Sequence, residues 1–137
     1  MSGRNEIVIV ITVAATMAAA CWNPTAPDAV VGAPFDVKVG STATLDDGLR
    51  IRFVSVRADS RCPMDALCIR AGEGIIAVSM TMSKGSPETR EMRTDATGSK
   101  ITYADHTIEL TALAPYPRST QTIEPRDYIA TFVVQKQ

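Results

Sequence analysis

The sequence is poor in the residues that carry most chemistry. Its 137 residues include one histidine, His106, three cysteines, and only 5% aromatic side chains. One histidine excludes the commoner histidine-rich metal sites. So few aromatics exclude a platform on which bases stack. The formal net charge is -1, with both signs mixed along the chain. That excludes a basic nucleic-acid-binding face and an acidic tail. No "GxSxG" elbow is present, no internal repeat, and no 3.6-residue apolar period beyond the N-terminal segment. The chain is still long enough for one domain with its own core.

The N-terminus is apolar where the rest is mixed. "MSGRNE" carries Arg4, "IVIVITVAATMAAA" is uncharged, and "AAAC" follows. This is the n-region, h-region and small-residue cleavage site of a secretory signal. The run from Ile7 to Ala20 falls short of the about 20 residues a membrane-spanning helix needs. "MAAAC" resembles the lipobox of bacterial lipoproteins, with Ala18 where a large aliphatic residue is usual. That resemblance implies a lipid on Cys21 as the mature N-terminus. Residues 1–20 are therefore expected as signal peptide, 21–34 as a proline- and alanine-rich lipid-anchored tether, and 35–137 as the folded domain. The expected location is the cell envelope, membrane-anchored and facing the periplasm or the cell surface.

From Phe35 onward short alternating runs replace the tether composition. "STATLDDGLRIRFVSVR" reads as a hairpin. A three-residue turn with left-handed Gly48 sets Leu45 across from Leu49 and Ala43 across from Ile51, which keeps the apolar residues on one face. Asp46 and Asp47 are turn formers; no further acidic ligands follow for calcium. After Phe53 the apolar phase slips to Val54 and Val56, as a β-bulge or burial of both faces requires. "GIIAVSMTM" reads as a core strand, "TREMRT" as a polar edge strand, and "DYIATFVV" as a central strand. Two further strands flank Ala104–Asp105. Seven to eight short strands predict one all-β sandwich, immunoglobulin-like or Greek-key. Its predicted core holds Leu49, Ile51, Phe53, Ile76, Val78, Met80, Leu110, Ala130 and Phe132.

The stretch "DSRCPMDALCIRAG", residues 59 to 72, holds the other two cysteines. A zinc site needs four ligands and closer pairs. A thioredoxin-like redox pair needs another spacing and a βαβ setting. With Cys21 lipidated and the chain exported, Cys62 and Cys68 are left to pair with each other. The disulfide is expected as a structural staple between two strands. The ring also offers a candidate binding loop of Arg61, Pro63, Met64, Asp65 and Arg70. Arg61 and Arg70 are expected to be charged and partly exposed there. An extended Pro63–Ala66 segment in the closed ring would suit a protease inhibitor.

The same stretch resembles a signature of small bacterial lipoproteins and exported proteins with no assigned activity. In them aspartate-serine-arginine-cysteine-proline is followed by a cysteine and then tryptophan-alanine-glycine. The match lies at Asp59, Ser60, Arg61, Cys62, Pro63, Cys68, Ala71 and Gly72; Arg70 stands where tryptophan is usual. The resemblance extends to "TLDDGLRIRF", to "LAPYP" at 113–117 and to "DYIATFVV". It implies location and fold, and no mechanism.

Catalytic candidates are few. His106 follows Asp105 in a predicted turn, where a solvated side chain is expected, and would anchor a hydrolase only if a hydroxyl joined it. Glu73, Glu109 and Glu124 would serve as acid and base only if two came together. The sequence thus predicts a non-enzymatic envelope lipoprotein that binds an envelope protein, peptide or cell-wall component. It needs no cofactor or metal. The protease inhibitor and a hydrolase around His106 are the alternatives.

Overall fold

A computed structural model describes residues 28–137 of the chain. The expected signal peptide and Cys21 lie outside the described residues. Eight strands follow one another: β1 (Phe35–Lys38), β2 (Thr42–Thr44), β3 (Arg50–Asp59), β4 (Gly74–Thr81), β5 (Glu88–Arg93), β6 (Lys100–Tyr103), β7 (His106–Ala114) and β8 (Ile129–Lys136). A short 3-10 turn, Pro125–Asp127, precedes β8. The strands form two antiparallel four-stranded sheets, ordered β1-β8-β7-β6 and β2-β3-β4-β5. Packed together, the sheets make the expected β-sandwich. Its wiring is simpler than the anticipated immunoglobulin-like or Greek-key connections. Each strand is followed by its neighbour around the sandwich, and β8 pairs back onto β1.

The first hairpin has the expected register. Ala43 faces Ile51, and the Leu45 amide donates to the Leu49 carbonyl at 2.8 Å. Gly48 supplies the left-handed turn position at φ +91°. The phase slip in β3 is a bulge: Phe53 pairs with Val78, but Ser55 pairs with Ala77. The extra residue, Val54, is turned outward, and Val56 swings in beside Ile76. A second irregularity follows between Val56 and Ala58. Strands β4 and β8 are central and β5 is an edge, as their patterns require.

All nine residues of the predicted core are buried. Ala29, Val37, Met92, Ile108 and Val134 join them. Ala29 corrects the tether boundary. Residues 28–34 pack on the domain: Ala29 bridges to Leu45, the Val31 amide donates to Asp46 Oδ1, and the Gly32 amide donates to the Val134 carbonyl. The packed domain thus reaches back to Asp28. This segment enters beside the β2–β3 turn. The cysteine stretch lies past the far end of β3, about 30 Å away at 3.3 Å per strand residue.

Candidate functional site

Beyond β3 and β4 the ladder continues into the cysteine stretch. The Ser60 amide donates to the Glu73 carbonyl and the Cys62 amide to the Ala71 carbonyl, each at 2.8 Å. Close approach of the two arms depends on Gly72, at φ +65°; a Cβ there would lie 1.7 Å from the Ser60 carbonyl oxygen. Cys62 and Cys68 are bonded, with their Cα atoms 5.9 Å apart. The ring is braced from outside as well. The Met64 amide donates to the Pro117 carbonyl. Asp65 accepts from the Ser119 amide at 2.9 Å and from its hydroxyl at 2.7 Å. These two donors hold the Asp65 carboxyl below its ordinary value.

Pro63–Ala66 is a turn rather than the extended segment expected, closed by the Ala66 amide on the Pro63 carbonyl. Met64, Asp65 and Arg70 are exposed, and Pro63 is half-buried. The most exposed large apolar residues are two that sequence reasoning passed over, Leu67 in the ring and Ile69 just after it, both fully in solvent. Their only sequence signal was an apolar pair, "ALCI", in a loop without periodicity. Reduction of the disulfide is expected to cost about 2 kcal/mol, from the entropy of a loop this short, and to leave the sandwich folded. Urea titration with and without reductant measures it; a reduced chain that unfolds at room temperature would contradict a purely local staple.

Arg61 departs furthest from expectation. It is buried, at 7% exposure, not partly exposed. Its Nε and Nη2 grip both carboxylate oxygens of Asp59, at 2.8 and 2.7 Å. Nη1 donates to the Leu113 carbonyl, and Nη2 also donates to the Pro115 carbonyl at 3.0 Å. The Tyr116 ring lies 5.0 Å from the guanidinium carbon. The Tyr128 hydroxyl donates to Asp59 Oδ2 at 2.9 Å. Burial pushes the Asp59 carboxyl up, but the bonds from Arg61 and Tyr128 outweigh it and leave the group below its ordinary value. Burial, with Asp59 adding to it, pushes the Tyr128 phenol up to about 12. Three distant segments, 59–61, 113–116 and 128, are thus tied at one point.

Beside this network opens a cleft of about 430 Å³. Leu110, Leu113 and Ala112 of β7 and the ring of Tyr116 give it apolar walls; Arg61 and Asp95 give it polar ones. Asp95 receives bonds from the Thr97 hydroxyl and the Gly98 amide, which hold its carboxyl below the ordinary value. The cleft also reaches Ala71 and Gly72 and so adjoins the ring.

Of the catalytic candidates only Glu73 lies near this face, and it is engaged elsewhere. His106 opens β7 and is fully buried, not solvated in a turn. Its Nε2 bonds Asp47 Oδ2, in the β2–β3 turn. Its Nδ1 lies 3.0 Å from Asp105 Oδ1, in a direction that makes no hydrogen bond. Burial raises the Asp47 carboxyl, but the His106 bond and the Leu49 amide leave it lowered. No serine or threonine hydroxyl bonds His106 among the described residues. Glu73 pairs with Arg93, and Glu109 faces Lys100. Among the described residues no cluster of three or more acidic, histidine or cysteine ligands gathers for a metal. No family model, curated protein or solved structure matches this chain.

Proposed function

We propose that this chain is a non-enzymatic lipoprotein of the cell envelope whose sandwich is a binding module displayed from the membrane. The observation that carries the reading is the ring tip. Leu67 stands fully exposed on a loop closed by a disulfide and braced through Asp65 and Ser119, and Ile69 stands fully exposed just past its closing cysteine. A backbone already held in one shape by such braces loses little further entropy when a partner covers its apolar side chains. The entry of residues 28–34 beside the β2–β3 turn supports the same reading. A lipid on Cys21 would hold that end near the membrane and present the ring at the far end. The partner is an envelope protein, a peptide or a cell-wall component.

The inhibitor reading draws on the same ring, but a substrate-like inhibitor offers an extended strand to a protease. The turn at 63–66 and the engagement of Asp65 by Ser119 favour docking through Leu67 and Ile69 instead. A hydrolase around His106 would need a cleft and a hydroxyl beside that ring, and Asp47 occupies its Nε2.

Two measurements test the proposal. Intact-mass analysis of membrane-extracted protein is expected to show diacylglycerol on Cys21; a soluble chain with a free Cys21 thiol would end the anchoring claim. A photo-crosslinking residue at position 67 is expected to give defined adducts in the intact envelope, and one at position 84 none. Equal labelling from both positions would end the docking claim.

A further inference from the structure

The ring tip is a knob, and the cleft beside it is a hole. Both lie at the same end of the sandwich, joined through Ala71, two residues past Ile69. A surface that carries a knob next to a matching hole is self-complementary under a two-fold rotation. We propose that this face is an interface between two copies of the chain, with Leu67 and Ile69 of each copy seated in the other's cleft. The proposal rests on the tip being a docking element and names its partner.

Size and charge support the match. The cleft, about 430 Å³, lies in the ~300–1,000 Å³ range that accommodates a small ligand, and its walls from Leu110, Leu113 and Tyr116 suit branched aliphatic side chains. Arg70, exposed beside the knob, makes no ion pair among the described residues. Asp95, on the wall of the hole, likewise has no cation within ion-pair distance among them. Its bonds to Thr97 and Gly98 keep it ionised and fixed in direction. A two-fold rotation that seats the knob sets Arg70 of each copy toward Asp95 of the other.

Other occupants satisfy only half of this. An apolar peptide would fill the hole and leave the knob in water. A lipid surface would cover the knob, leave the hole empty, and place the Asp95 carboxylate against headgroups. A second copy covers both at once and matches the two unpaired charges.

Sedimentation equilibrium of the full-length chain in neutrally buoyant detergent micelles tests this. The parent is expected to sediment as a dimer that dissociates on dilution. Leu67→Asp changes a fully exposed side chain, so the fold stays intact by circular dichroism, and dissociation is expected to rise at least tenfold. Arg70→Glu and Asp95→Arg are each expected to be monomeric alone. Mixed in equal amounts they are expected to dimerise again, because each altered residue then meets its complement. If Asp95→Arg loses its turn, Asp95→Asn keeps the acceptor and is expected to weaken the dimer alone. A monomeric parent that still gives tip cross-links to another molecule would overturn the dimer and keep tip docking. A monomeric parent without tip cross-links would overturn both. A dimer untouched by Leu67→Asp would also overturn the proposal.

Discussion

Replacing Arg61 by alanine is expected to destabilise the domain by about 3–5 kcal/mol, the usual cost of removing one partner from a buried ion pair. The loss has three sources. Asp59 keeps a half-buried carboxylate with only the Tyr128 hydroxyl and the residue-61 amide to answer it. The carbonyls of Leu113 and Pro115 lose their side-chain donor. The Tyr116 ring loses the planar group it covers. Against a typical total of about 5–15 kcal/mol, that is a large share. Arg61→Lys is expected to recover only part, since an ammonium does not reproduce a planar fork reaching four acceptor atoms. Arg70→Ala, on the exposed side of the same ring, is expected to stay within about 0.5 kcal/mol. Urea denaturation measures all three; a loss from Arg61→Ala no larger than that from Arg70→Ala would show that the network contributes nothing.

Acid gives the same pair a second signature. The folded Asp59 carboxyl lies below its ordinary value of 3.8, so its contribution is fully present above that value and is lost as pH falls through the depressed one. Without Arg61 the burial of Asp59 acts unopposed by the guanidinium, and its carboxyl takes up protons more readily in the folded state. Protonation then relieves the variant while it weakens the parent. The stability gap between them is therefore expected to narrow as pH drops below about 4. A gap that stays constant through this range would place the cost of the substitution in packing alone.

What the sequence revealed and what it hid divide by distance along the chain. The β2–β3 register was legible because Gly48 and the apolar alternation act within a few residues. The disulfide was legible by counting cysteines in a chain expected to be exported. The bulge was legible as a slip of phase between Phe53 and Val56. Arg61 misled because its environment comes from elsewhere: its carbonyl acceptors lie 52 and 54 residues away, and the tyrosine sharing Asp59 lies 69 residues beyond that aspartate. Nothing near "DSRCP" announces a buried arginine. His106 misled for the same reason, since Asp47, 59 residues earlier, supplies the bond that makes its burial tolerable. Ala29 resembles any tether alanine until Leu45 comes beside it. The cleft was invisible because residues of β7 and the turn after β5 meet only in the folded sandwich.

Phe53→Ala is expected to cost about 3–5 kcal/mol, through lost transfer energy and the cavity left between the sheets. Phe53 is fully buried on β3 opposite Val78, with Ile51 and Ile76 on the same inner face. Its neighbours make the test one of register as well as packing. In an unbroken strand the residues after Phe53 would alternate, so Ser55 would face the core and Val54 and Val56 would both face out. The bulge at Val54 reverses that: Val56, packed against the core beside Ile76, is the inward residue. Truncation to alanine is therefore expected to rank Phe53 first, Val56 second at about 1 kcal/mol, and Val54 last at within about 0.5 kcal/mol. Equilibrium unfolding of the three variants gives the ranking directly. Equal costs for Val54 and Val56 would mean that β3 runs without the bulge, and Ser55, not Val56, would then have to lie against the core.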